Sequence, residues 1–233
     1  ARRMTFTFAN GPTESVGFNG FAEGISYEAS AEERTAARAE AYAHLSETYR
    51  LLDAGEGSAA LQEASSGGVA AKRAEDARLA EVFATLQARA LAAVGRLAEA
   101  QRAFQALVAA SSSRPETEFV AAEAFHRAGA LDRAIAWYRH GLENGGPLFG
   151  GGKSRYEFME GWVFAAVEKG DFASALEATA SLERFFPDFA AYLPFYRAFV
   201  AWRSGQAPAL GGLEDKPGYP DWLRYFSFEA RLA

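Results

Sequence analysis

The chain has 233 residues, 49% of them apolar, a formal net charge of −6 and no cysteine. That is enough apolar material for one sizeable core, and the mild acidic excess excludes the clustered Lys and Arg of a nucleic-acid footprint. Without cysteine there is no disulfide framework, thiol nucleophile or thiolate metal site, and no apolar run approaches the roughly 18 residues that a membrane span needs.

Residues 1–29 are set apart by glycine, phenylalanine and the alternating stretch MTFTF, with turn signals at Asn10-Gly11-Pro12 and Asn19-Gly20. They are expected to form a non-helical arm. Phe6, Phe8, Phe18 and Phe21 either pack it onto the rest of the chain or offer a strand to a partner. Residues 30–233 read as one helical domain, in which high alanine content and hydrophobic period agree.

Ser30 and Glu33 have the spacing of a capping box, which starts a helix at Ala31. That helix is expected to bury Ala41, Leu45, Thr48, Tyr49 and Leu52 and to stop at Ala54-Gly55. A short segment over 58–64 should follow, broken by Ser65-Ser66-Gly67-Gly68. The pattern over 69–94 predicts one uninterrupted helix with Leu79, Val82, Phe83, Leu86, Ala90 and Leu91 inside, ended by Gly95. A partner over 96–110 carries Leu97, Ala100, Phe104 and Leu107. After Ser111-Ser112-Ser113-Arg114-Pro115, the stretch 115–142 predicts two helices folded back at Ala128-Gly129-Ala130. One buries Phe119, Ala122 and Phe125, the other Leu131, Ala134, Ile135 and Tyr138. A glycine-rich loop over 144–153 should be exposed and mobile, and Ser154 with Glu157 should open the next helix. Tyr192, Phe195, Tyr196, Phe199 and Trp202 form a stripe at helical spacing, read as core, with an aromatic shelf for a peptide as the alternative. Asp221 is placed to cap a final covering helix carrying Trp222, Tyr225 and Phe226.

Gly95, Gly129, Gly170 and Gly205 each follow an apolar helix at intervals close to 34 residues, lengthened once by the loop. Around them recur a small residue seven before the glycine, an alanine five after it and an aromatic four further on. These are Ala88, Gly95, Ala100 and Phe104; then Ala122, Gly129, Ala134 and Tyr138; then Val163, Gly170 and Ala175, with Pro187 near the end. The third set departs from the pattern at Val163 and at Thr179. On these residues the stretch 69–205 resembles the tetratricopeptide repeat family. The resemblance implies an all-α, right-handed solenoid of antiparallel helix hairpins, with the N-terminal arm at one end and a C-terminal capping helix at the other. It also implies that the first helix of each hairpin lines a concave groove that binds a protein segment. Helical phase puts Arg89, Phe119, Glu123, His126, Arg127, Glu157, Glu160 and Phe164 on that side. The family's lysine- and asparagine-based grip on a chaperone C-terminus is missing.

Catalytic and cofactor signals are weak. The stretch 145–154, GGPLFGGGKS, has Pro147 where a phosphate-binding loop requires glycine, and no strand precedes it. His44, His126 and His140 are not at metal-ligand spacing on one helix, no two carboxylates stand out as an acid–base pair, and no GxSxG elbow occurs. The expected function is therefore non-enzymatic and cofactor-free: a scaffold or adaptor that binds a protein or peptide in the groove. The alternative is a structural subunit of a larger, envelope-associated assembly that uses the arm and helix edges. No signal-peptide core is visible, so the cytoplasm is the expected compartment unless a leader was removed before Ala1, which would place the chain outside it.

Overall fold

The computed structural model describes residues 3–6, 14–17, 30–110, 114–144, 155–185 and 192–206. In the arm, β1 (Arg3–Phe6) and β2 (Glu14–Gly17) pair antiparallel with Met4 opposite Val16, in keeping with the alternation there. The other described elements are helices: α1 (Ala31–Asp53), α2 (Gly57–Arg73), α3 (Ala77–Ala93), α4 (Leu97–Ala110), α5 (Arg114–Arg127), α6 (Leu131–Asn144), α7 (Arg155–Lys169), α8 (Phe172–Phe185) and α9 (Leu193–Arg203). Each helix packs against the next one in the chain. Of the loop expected over 144–153 only Asn144 is described, and it ends α6; the rest of that loop, the capping residue Ser154, the arm residues Phe8, Phe18 and Phe21, and the final helix after Asp221 lie outside the described residues. So does Pro187.

The helix ends follow from local chemistry. Ser30 accepts a hydrogen bond from the Glu33 amide at 3.2 Å and its own amide donates to the Glu33 carboxylate at 2.7 Å, so the capping box starts α1 at Ala31 as expected. Gly55, Glu75, Gly95, Gly129, Gly170 and Gly205 all have positive φ, from 54° at Glu75 to 79° at Gly170 and Gly205. At each, the residue's amide bonds the carbonyl three back and the following amide bonds the carbonyl five back, the paired bonds that close a helix C-terminus. The same turn thus recurs after α1, α2, α3, α5, α7 and α9.

Two sequence expectations fail in this region for identifiable reasons. The helix expected over 69–94 is interrupted at Ala74-Glu75-Asp76, because Glu75 adopts the left-handed conformation that glycine takes elsewhere and Asp76 caps α3 by accepting from the Leu79 amide at 3.0 Å. Ser65-Ser66-Gly67-Gly68 does not break the chain but lies within α2. There the Phe83 ring of α3 lies where a Gly67 Cβ would be, 2.1 Å from its Cε1, so these glycines serve close helix contact rather than a turn.

The recurring small and aromatic positions are interior ones. Ala88, Ala100, Phe104, Ala122, Ala134, Tyr138, Val163 and Ala175 are all buried. Thr179 is buried too, with its hydroxyl satisfied by donation to the Leu176 carbonyl at 2.8 Å, so a hydroxyl fits where an aromatic was expected. Between α6 and α7 the packing is reciprocal. The Phe158 ring of α7 covers Gly141 of α6, and the Tyr138 ring of α6 covers Gly161 of α7. Each helix therefore carries an aromatic and, three residues later, the hole for its partner's aromatic. On α9, Phe195, Tyr196 and Phe199 are buried, with Tyr192 and Trp202 half-buried beside them, as the core reading of that stripe requires.

Candidate functional site

Besides its hairpin partner, α1 touches α3, α3 touches α5 and α5 touches α7, whereas no comparable contact joins the even-numbered helices among the described residues. The odd-numbered helices are therefore the close-packed layer. Within α5, Glu118, Ala122 and Phe125 point toward α4 and α6, while Glu123 and Arg127 lie roughly opposite, about nine residues or half a turn of phase from Glu118 to Arg127. Two distinct surfaces result.

The first is the side of α1, α3, α5 and α7 away from the even-numbered helices, where helical phase expects the groove residues. Arg127 is exposed, and Glu123 and Glu157 are half-buried. Arg89 is half-buried, with its guanidinium 5.9 Å from the centre of the Tyr49 ring across the α1–α3 seam. His126 joins α5 to α7 by a 2.9 Å contact between its Nε2 and the Glu168 carboxylate. Glu160 accepts a hydrogen bond from the Tyr196 hydroxyl at 2.8 Å, and the Phe164 ring meets Phe199 edge-on, so these two also tie α7 to α9. Phe119, expected both in the buried stripe of α5 and on the groove, is buried, edge-on to Tyr138 and Phe158, because these two rings close over it between α6 and α7; the groove placement is the one that fails. Tyr49 is the converse correction. Expected inside, it is 42% exposed, and Tyr42, one heptad earlier, is 55% exposed. Sequence periodicity put Tyr49 inside, but Leu51 and Thr48 take the buried stripe at that end of α1. Burial, with the Glu123 carboxylate nearby, pushes the Tyr138 phenol well above its ordinary pKa. Burial likewise raises Tyr156, to about 12, despite its hydrogen bond with Tyr196.

The second surface is a cleft of about 780 Å³ between α4 and α6, floored by α5. Glu118 lies at its floor with a side chain only 4% exposed and its carboxylate 3.1 Å from Nδ1 of His140, itself half open to solvent. The Trp137 indole N–H donates to Oε1 of Gln101 across the cleft at 3.1 Å. Arg133 also lines it, with its guanidinium 5.7 Å from the centre of the Phe125 ring. Nothing in the hydrophobic pattern pointed here, although a glutamate between Thr117 and Phe119 on a buried face was a readable anomaly.

All three histidines face a glutamate, His44 meeting Glu63 at 2.6 Å, and among the described residues no group of three or more His, Asp or Glu side chains could hold a metal ion. No helix among the described residues is long and apolar enough to cross a membrane. Comparison with protein-family models, with curated proteins and with solved structures finds no match to this chain.

Proposed function

We propose that this chain is a protein-interaction module of tetratricopeptide type that holds a segment of a partner protein against the open side of α1, α3, α5 and α7. The observation that carries this reading is the next-but-one packing of the odd-numbered helices, which lines four helices side by side. Their outward positions hold side chains suited to recognition rather than to core: the exposed Tyr42 and Tyr49, the guanidinium of Arg89 beside Tyr49, and the charges Glu123, Arg127 and Glu157. Aromatic rings supply contact area at low entropic cost, and fixed charges supply register and rate of encounter.

The test is partner capture by the full chain carrying Glu123→Lys and Arg127→Glu together, against Tyr42→Ala with Tyr49→Ala. Either pair should weaken capture by tenfold or more, on the order of 1.4 kcal/mol, with melting unchanged. A second reading, assembly through the N-terminal arm, is favoured by the β1–β2 hairpin, because a two-stranded sheet has edges on which another strand can pair. If both face variants capture partner normally while removal of residues 1–29 abolishes capture from a folded protein, the arm reading replaces the groove reading.

A further inference from the structure

The cleft between α4 and α6 stands apart from its counterpart one hairpin later. The groove between α6 and α8 encloses only about 210 Å³. It is closed by Arg139, which stacks on Trp162 at 4.6 Å and pairs with the Glu177 carboxylate of α8. Arg139 is the tenth residue after Gly129 and Glu177 the seventh after Gly170; the residues at the same places after Gly95 and Gly129 are Gln105 and Ala136. Both line the open cleft. The bridging pair is absent from it by sequence, not by chance of side-chain placement. At the floor, Glu118 stands eleven residues before its turn glycine, where the following hairpin has the fully buried Met159. A buried carboxylate in place of a methionine is a costly departure from an otherwise repeated interior.

The polarity of the cleft is readable from its hydrogen bonds. An indole N–H can only donate, so the Gln101 atom facing Trp137 is its oxygen, which leaves the Gln101 Nε2 as a donor with no acceptor among the described residues. The Glu118 carboxylate is matched by His140. Arg133 is not matched. Its Nη1 is buried without a hydrogen-bond partner, and the guanidinium rests on the face of Phe125. The neighbouring acids are already engaged, Asp132 with Lys169 at 2.6 Å and Glu99 with Arg96 at 2.6 Å. A guanidinium held on an aromatic ring, in a cleft that a carboxamide donor also lines, offers planar donors, and the group that complements them is a planar acceptor with negative charge.

We propose that the cleft between α4 and α6 is a second binding site, on the opposite side of α5 from the partner-binding face, and that it takes a carboxylate, held by Arg133 and Gln101. The carboxylate could come from a chain end or from an acidic side chain, and the test separates the two. The full chain is titrated with N-acetylglycinate, N-acetylglutamate amide and the neutral N-acetylglutamine amide, while heteronuclear NMR follows the Trp137 indole N–H and the Gln101 carboxamide. Saturable shifts with N-acetylglycinate alone assign a chain end; shifts with N-acetylglutamate amide, alone or in addition, assign an acidic side chain. Arg133→Gln should weaken the response about tenfold or more, and Arg133→Lys, which keeps charge but loses the fork, by less. The proposal is overturned if the neutral amide shifts these signals equally, if no probe gives a saturable shift, or if both Arg133 variants bind like the unaltered chain. A lower melting temperature in Arg133→Gln with unchanged binding would reduce Arg133 to a packing residue and overturn it too.

Discussion

The reciprocal seat between α6 and α7 makes a quantitative prediction. In Gly141→Ala the new Cβ would lie 2.0 Å from Cε1 of Phe158, 2.5 Å from Cδ1 and 2.6 Å from Cζ. Ordinary carbon contact at about 3.5 Å would require the ring to retreat by roughly 1.5 Å. The ring has nowhere to go: it is fully buried, with Phe119 edge-on at 5.3 Å between centres. Overpacking of this kind costs about 1 to 3 kcal/mol, against which alanine regains about 1 kcal/mol of helix propensity over glycine. A rigid ring puts the cost in the upper part of that range, so a net loss of about 1 to 2 kcal/mol is expected, or roughly 2 to 8 °C in melting for a chain of this size. Urea denaturation of Gly141→Ala, Phe158→Leu and the double variant would form the cycle. Trimming the ring makes room for the methyl, so the double variant should be more stable than the sum of the single losses by about 1 to 2 kcal/mol. A Gly141→Ala chain at least as stable as the original, or a cycle that closes additively, would refute the seating of Phe158 on Gly141.

The turns give an opposite expectation. Gly95 has φ of 78° and open space where a Cβ would stand, with no heavy atom within 4 Å, so Gly95→Ala should cost about 1 kcal/mol through backbone strain alone, whatever neighbour is trimmed. Glu75→Gly should gain up to about 1 kcal/mol by relieving the same strain. Thermal melting checks both. The phenols of Tyr138, Tyr156 and Tyr196 have raised pKa values in the fold, chiefly through burial. Their contribution is intact below the unfolded value of about 10 and is lost as pH rises toward the folded values, so stability should fall from about pH 10 upward. Ultraviolet titration should show these phenols ionising late or only on unfolding. Glu118→Met, which restores the residue type found at position 159, should leave melting little changed, since it removes a buried carboxylate while His140, half open to solvent, can turn to water. A drop of several degrees would mean that Glu118 is kept for stability.

Sequence carried the helical pattern well where glycine and small-residue spacing coincide. Gly95, Gly129, Gly170 and Gly205 each end a helix, and Ala100, Ala134 and Ala175 are each at a close helix contact. It failed where glycine plays another part. Gly67 and Gly68 read as a breaker because a local pattern cannot show that Phe83 approaches from the next helix, and Glu75 read as helix because its residue type disfavours the conformation that the turn imposes on it. Phase along α5 put Phe119 in the buried stripe, as found, but also on the groove, where it is not, because its burial depends on rings from both α6 and α7. The α4–α6 cleft was out of reach, since it arises from what two helices lack at facing positions.

That lack suggests the most selective change. Ala136 is exposed on the cleft and stands three residues after Arg133, one helical turn away. Ala136→Glu therefore offers Arg133 a carboxylate on its own helix, at a spacing where opposite charges stabilise by about 0.2 to 0.5 kcal/mol. Ala136→Gln adds the same length without the charge. If Arg133 is held open for a carboxylate ligand, the glutamate should compete with it and abolish the response to the acetylated probes, whereas the glutamine should leave most of it. Melting should change little in either variant, because the position is at the surface. Loss of binding in both would mean that volume rather than the guanidinium selects the ligand, and retention in both would mean that the carboxylate does not sit at Arg133; either result refutes the charge assignment without bearing on the far side of α5.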